Sequence, residues 1–266
     1  MFSTDIPVRE GKMNIGYITD VGRLRENNED SLFVDDGQRI FIVADGVGGQ
    51  NAGEIASSMA VKEISRYLKE NFDDSKTGGK YIFRCIAEGI DRANERILEE
   101  SSEEAAFSKM ATTTVVLLIR NNTGYISNIG DSRAYLLRNG KLIRLTEDHT
   151  LANQLIRDGK LTEEEVEFLA QKQLALNMFS TITRALGDKK NVEADNFFVD
   201  IENDDIFLLC TDGLYGEVSD ERIAEIVGRE ENMQSACEKL AEAANENGGR
   251  DNITAILIKI GVNDHE

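Results

Sequence analysis

Four acidic residues stand where apolar stretches end or begin, and they are the first candidates for chemistry. Phe41-Ile42-Val43-Ala44 runs into Asp45-Gly46-Val47-Gly48-Gly49, and Phe207-Leu208-Leu209-Cys210-Thr211 runs into Asp212-Gly213. Ile126-Ser127-Asn128-Ile129-Gly130 leads to Asp131-Ser132-Arg133, and Gly249-Arg250-Asp251-Asn252 leads into Ile253 to Ile260. A buried strand ending in Asp-Gly places a carboxylate at a sheet rim, where glycine lets a ligand approach the backbone. Converging carboxylates repel one another unless cations neutralise them, so their repetition suggests an oxygen-ligand site for Mg2+ or Mn2+. Ordinary strand-end turns give the same pattern, and both readings stand at this point. A second polar stretch, Asp20 to Asp30, contains Arg25, whose planar fork suits a phosphate, and Glu29-Asp30, which could complete a metal cage. A polar loop carrying surface ion pairs is the alternative for that stretch.

Composition narrows the chemistry. The 266 residues include two histidines, His149 and the penultimate His265, which nearly excludes triads and zinc sites built on several imidazoles. Hydrolysis would rest on carboxylates with hard metals, or on serine or lysine acting without histidine. The cysteines at 85, 210 and 237 lack metal-ligand spacing and suit reduced thiols in a cytoplasm. Asp and Glu outnumber Lys and Arg by 49 to 30, for a net charge of -19, which disfavours nucleic acid and anionic membrane surfaces as partners. No apolar run approaches a membrane span, and the first residues lack the pattern of a secretory signal. A soluble cytoplasmic protein of one domain, residues 1–266, is expected.

The elements that must position these residues are mostly hairpins. Ser31–Val34 and Arg39–Ala44, Thr112–Arg120 and Gly124–Ile129, Arg133–Leu137 and Lys141–Leu145, and Phe197–Ile201 and Ile206–Cys210 pair across short polar turns. With Met13–Thr19 and Ile253–Ile260 they make about ten strands, chiefly antiparallel. Ile55, Met59, Ile64 and Leu68 mark one long helix, with Asn51 and Glu54 as a capping box. Ile82, Ile86, Ile90, Ala93 and Ile97 mark a second. Shorter helices are predicted over 151–158, with Thr150 as N-cap and Gly159 as stop, and over 162–170. Two more end at Gly228 and before Gly248-Gly249. The segment 149–183 interrupts the hairpins as a helical flap. The predicted fold is α+β: two packed antiparallel sheets flanked by helices.

The order of the polar motifs resembles a known family. Arg25-x-x-Asn28-Glu29-Asp30, Asp45-Gly46-x-Gly48-Gly49, Gly130-Asp131-Ser132-Arg133, Asp212-Gly213 and Gly249-Arg250-Asp251-Asn252 follow one another as in the metal-dependent Ser/Thr protein phosphatases. This is the type 2C, or PPM, family, and the likeness is to its compact bacterial members. Thr112-Thr113-Thr114, Leu145-Thr146-Glu147-Asp148-His149 and Thr183-Arg184-Ala185-Leu186-Gly187 join the match, which spans about residues 13–260. The resemblance implies an α-β-β-α sandwich with a metal cleft at one edge. It implies two Mn2+ or Mg2+ ions bridged by Asp45, one held by Asp212 and Asp251, the other by Glu29 and the carbonyl of Gly46. Asp30 would orient the attacking water, Arg25 would hold the phosphate, and Asp131 would contact a third, weaker ion. Such a centre hydrolyses phosphoserine and phosphothreonine in proteins by in-line attack of an activated water.

The sequence departs from the family pattern in three places. Gly216 stands where bacterial members commonly place a further Asp or Asn, which weakens a third site. Val47 follows Asp45-Gly46 where some relatives have a histidine, so no side chain there can protonate the leaving alkoxide. The stretch Gln171 to Asn177 lacks the His-Pro pair common in relatives, and substrate choice does not transfer through it. His149 reads as part of a structural turn. The expected partners are phosphorylated proteins, including a bacterial-type Ser/Thr kinase that the monomeric enzyme opposes. A phosphatase of phosphorylated sigma-factor regulators and a catalytically silent partner-binding domain are the alternatives.

Overall fold

The computed structural model describes residues 13–49, 52–73, 75–76, 78–103, 109–171 and 179–261. The capping-box residue Asn51, His265 and nearly all of the stretch from Gln171 to Asn177 lie outside the described residues.

Strands whose residues are apolar on both faces need cover on both sides, and the chain supplies it with four layers. One sheet runs β1 (Met13–Asp20), β11 (Ile253–Ile260), β10 (Ile206–Cys210), β7 (Arg133–Arg138), β8 (Lys141–Arg144). The other runs β2 (Asp30–Asp35), β3 (Ile40–Val47), β5 (Thr114–Arg120), β6 (Thr123–Ile129), β9 (Asp195–Asp200), with β4 (Ala111–Thr112) paired to the end of β3. Every pairing is antiparallel.

Alternation along each strand divides the core into three. Phe41, Val43, Leu117, Phe207, Leu209, Ile256 and Ile258 meet between the sheets. From the opposite face of the same strands, Ile40, Ile42 and Val116 meet α1 (Ala52–Asn71) and α2 (Gly79–Glu103). On the far side Leu208, Ala255 and Leu257 meet α6 (Asp220–Arg229) and α7 (Met233–Glu246). Between β8 and β9 lie α3 (Leu151–Arg157) and α4 (Glu163–Gln171), and α5 (Asp212–Tyr215) follows β10.

Two-sheet α+β architecture is as expected, with local corrections. Thr112–Arg120 is not one strand: it breaks at Thr113, whose backbone and hydroxyl are committed to Asp45 instead of the ladder. Helix α1 buries Ala52, Ala56 and Ala60 with Ile64 and Leu68, because small side chains let it sit close on β3. Ile55 and Met59, expected on the stripe, lie half-buried at its margin. Helix α6 runs through Gly228 to Arg229. Thr150 caps α3 by accepting the Asn153 N–H, as predicted. Thr162 and Glu165 form a reciprocal capping box at the start of α4 (2.8 and 3.2 Å).

Helix α7 is pinned to the edge strand β1. Asn14 donates to the Glu231 carbonyl (2.7 Å), and the Tyr17 N–H donates to Gln234 Oε1 (3.1 Å). A Cβ at Gly16 would strike the backbone of Met233 and Gln234. Gly16→Ala should therefore destabilise the protein by about 1–3 kcal/mol, the usual cost of overpacking, seen as a lower urea midpoint. An unchanged midpoint would show that β1 and α7 part without cost.

Candidate metal centre

Strand register brings the acidic residues to one rim. Asp30 at the start of β2 lies directly opposite Asp45 near the end of β3. In the same sheet Thr114 pairs with Ile129, so the chain leaves β6 at this rim and carries Asp131 there. In the other sheet Cys210 pairs with Arg133 and Ala255, so Asp212 and Asp251 emerge at the matching end. Like charges facing each other across strands are unfavourable, so the pairing of buried Asp30 with half-buried Asp45 demands compensation.

Hydrogen bonds hold the backbone of Asp45 in place without neutralising its carboxylate. Its N–H donates to Thr113 Oγ1 (2.9 Å), while its carbonyl accepts the Thr113 N–H (2.9 Å) and the Thr112 hydroxyl (2.8 Å). Thr113 Oγ1 in turn lies 2.7 Å from Ser132 Oγ, beside Asp131. The Thr211 hydroxyl donates to Asp30 Oδ2 (2.8 Å), and the Thr254 N–H donates to Thr211 Oγ1 (3.1 Å). The strand-end turn expected at Asp212 is instead the first turn of α5, with Thr211 at its N-cap position. Sequence reasoning assigned no role to Thr113, Ser132, Thr211, Thr254 or Asn252. The visible signals were the Thr112-Thr113-Thr114 run and the residues adjoining each Asp.

Electrostatics shows what remains uncompensated. Burial pushes the Asp45 carboxyl well above its ordinary value, and Asp30, Asp212, Asp131 and Asp251 push it further. Asp30 rises to about 8, first through burial and then through Asp212 and Asp251, against the hydroxyls of Thr254 and Thr211. Asp131 rises to about 7 through burial and Asp212. Asp212 rises through burial and Asp251, and its Oδ1 is buried without a hydrogen-bond partner. Glu29 rises through burial, opposed by Arg25. These are hard oxygen donors lacking counter-charge, a donor set that fits Mg2+ or Mn2+.

Among the described residues, no three acidic, histidine or cysteine side chains already close into a cage. Asp251 explains part of this: its Oδ2 accepts from Arg25 Nη2 (2.7 Å) and its Oδ1 from the Asn252 N–H (2.8 Å). The Glu29 carboxylate packs against Gly53 in the first turn of α1. A Cβ at Gly46 would strike the Gly53 carbonyl and the Glu29 backbone, so glycine is what lets β3, α1 and Glu29 meet. Asp45, Asp30, Asp212, Asp131 and Asp251 thus share one field, with Arg25 at its mouth and Glu29 on the α1 side.

The neighbours of Asp131 are fixed structurally. Tyr215 Oη donates to the Asp131 carbonyl (3.0 Å), and the Arg133 guanidinium lies 3.4 Å over the Tyr215 ring. Arg133 forks onto Asp148 through Nε (3.0 Å) and Nη2 (2.7 Å). Gly216 ends α5 and brings no ligand. His149 is buried in the turn, its Nδ1 accepting the Gly130 N–H (3.0 Å) and its Nε2 3.1 Å from Asp195 Oδ2. Burial lowers its basicity, against Asp195, which fits a neutral structural ring. Val47 is 46% exposed and carries no proton to give.

The raised carboxyls link pH to stability. Asp30 and Asp131 take protons more readily folded than unfolded, where the ordinary value is 3.8. Their contribution is complete below that value and is lost as pH rises through about 7 to 8. In EDTA the urea midpoint should therefore fall between about pH 4 and 8. Added Mn2+ should flatten or reverse that slope. A midpoint independent of pH in EDTA would contradict the crowding of these carboxyls.

Comparison with known proteins places nearly the whole chain among relatives. The protein phosphatase 2C family model matches residues 23–258. The chain is 36% identical over 250 residues to the serine/threonine phosphatase stp of Listeria monocytogenes, covering 93% of this chain and 96% of that one. The crystal structure of the Mycobacterium tuberculosis serine/threonine phosphatase PstP/Ppp superposes with a TM-score of 0.82 at 30% identity, covering 94% and 99% of the two chains. The catalytic domain of a PstP solved with two manganese ions superposes with a TM-score of 0.78 at 31% identity, covering 94% and 100%. The chain belongs to the protein phosphatase 2C family.

Proposed function

We propose that this chain, as a metal-dependent phosphatase, releases phosphate from phosphoserine and phosphothreonine in proteins at the rim built around Asp45. The observation that carries the reading is the half-buried Asp45 set opposite buried Asp30 and in the field of Asp212, Asp131 and Asp251, with the Arg25 guanidinium at the mouth. Asp45, Asp212 and Asp251, with Glu29 and the Gly46 carbonyl, are the groups that would hold two Mn2+ or Mg2+ ions. Such ions supply an activated water nucleophile and positive charge for the phosphoryl oxygens.

The chain's own residues do the rest. Arg25 is half-exposed and presents a planar fork, so it grips two phosphate oxygens and keeps phosphorus in line for attack. To do so it must leave Asp251, which a cation would hold in its place. Asp30, anchored by Thr211, keeps a proton-accepting oxygen beside Asp45 and orients the attacking water. Asp131, with Asp212, is the place for a weaker third ion, and Gly216 adds nothing to it. With Val47 where an acid could stand, the leaving alkoxide draws its proton from solvent.

In this reading residues 1–266 form one catalytic domain that works as a cytoplasmic monomer and opposes a bacterial-type Ser/Thr kinase. Among the described residues no helix is long and apolar enough to cross a membrane. The test is phosphate release from a phosphothreonine peptide. Mn2+ should support turnover, EDTA should abolish it, and Asp45→Asn should lower kcat by at least about a hundredfold, since a misplaced or missing ion removes the main electrostatic term. Folded, metal-loaded protein that releases no phosphate would overturn the reading in favour of a silent partner-binding domain.

A further inference from the structure

Several hydrogen bonds hold the loop that carries Arg25, and two sets of them flank the arginine. Residues 21–29 join β1 of one sheet to β2 of the other, so nothing in either sheet's ladder fixes their path. The carbonyl of Gly249 accepts the N–H groups of Arg23 (2.8 Å) and Leu24 (3.3 Å). The second clamp is the side chain of Asn252. Its Oδ1 accepts the Glu29 N–H (2.8 Å), and its Nδ2 donates to the carbonyls of Val21 (2.9 Å) and Asn27 (2.9 Å). The residue is 4% exposed, and its own N–H is bound by Asp251 Oδ1 (2.8 Å).

Resting on the phosphatase reading, we infer that Asn252 is a positioning residue for substrate phosphate, acting through Arg25. One amide ties both ends of the loop to the residue that follows Asp251. Between the Leu24 and Asn27 attachments stand Arg25 and Glu26, so the reach of the guanidinium is set by these two clamps. Its Nη2 already sits 2.7 Å from Asp251, facing the carboxylates.

The side chain must be an amide. A carboxylate could accept the Glu29 N–H, but it would face the Val21 and Asn27 carbonyls with no donor. An alanine would remove all three bonds, and backbone groups that lose a protein partner turn toward water. Either change loosens the stretch that aims Arg25, while Asp45 and Asp212, on β3 and α5, keep their own anchors.

The experiment measures steady-state kinetics on a phosphothreonine peptide at saturating Mn2+, for wild type, Asn252→Ala, Asn252→Asp and each change in an Arg25→Ala background. Inorganic phosphate serves as a competitive probe. KM and the phosphate inhibition constant should rise together by about tenfold, with kcat changed by less than about threefold, since misplacing a binding group by an ångström or so is felt chiefly in phosphate binding. In the Arg25→Ala background the Asn252 changes should add less than about twofold to KM, the non-additivity expected of one acting unit.

An unchanged KM in folded Asn252→Ala would overturn the inference, as would a full additional rise in the Arg25→Ala background. Asn252→Asp keeps the acceptor for Glu29 and serves where the alanine variant does not fold. Calorimetric binding of inorganic phosphate to the Mn2+-loaded protein separates the two readings. If wild type binds phosphate without turning over peptide, the phosphatase reading fails. The Asn252 inference then stands or falls on whether Asn252→Ala weakens that binding.

Discussion

Repulsion among buried carboxylates is the constraint around which this molecule is arranged. Asp45 is half-buried, faces buried Asp30 across a strand pair, and feels Asp212, Asp131 and Asp251. In a folded core such a cluster either takes up protons or is matched by cations, and the raised carboxyls here register that choice. The neighbouring hydrogen bonds do not neutralise the charge. They hold its carriers still. Thr113 and Ser132 fix the Asp45 backbone and the Asp131 turn, Thr211 links Asp30 to the start of α5, and Asn252 links the Arg25 loop to the strand after Asp251.

The apolar layers make that immobility possible. Phe41, Val43, Phe207 and Ile256 fill the space between sheets, while the helices cover the outer faces. Because β3, β10 and β11 are packed on both faces, their ends cannot drift apart as a loop would. Charge is therefore presented from rigid strand ends, and the more adaptable loop between β1 and β2 carries Arg25, the proposed phosphate grip. The division suits the chemistry: ions need fixed ligands, whereas a substrate group needs an arm that can leave Asp251.

How much of this was legible in the sequence differs by element. The runs before Asp45 and Asp212 are continuously apolar because both faces are buried, so the strand ends and their carboxylates stood out. Helix α5 did not, because four residues cannot display a helical period. The break at Thr113 was hidden inside a run of β-branched residues that favour a strand, since its cause is a bond to Asp45 68 positions away. In α1 the bulky Ile55 and Met59 suggested the buried stripe, but close approach to β3 selects Ala52, Ala56 and Ala60. The partners of Asn252 lie 223 to 231 positions away, and no local pattern announces them.

A net charge of -19 looks ill suited to binding a phosphoprotein. The conflict is smaller than the formal charge implies. Asp30 and Asp131 are buried at the rim with Asp45 and Asp212 half-buried beside them, so in the proposed reading theirs are the charges that bound cations would offset directly. The remaining acidic residues lie mostly in solvent, where salt screens them beyond about 8–10 Å. In the proposed reading a phosphate entering the rim would meet Arg25 and the ions at contact distance, where charge acts most strongly. Long-range steering of an anionic partner is weak on such a surface, and recognition must come from contacts made after encounter. That places the demand for accuracy on the short segment between Leu24 and Asn27, and on the two clamps that hold it.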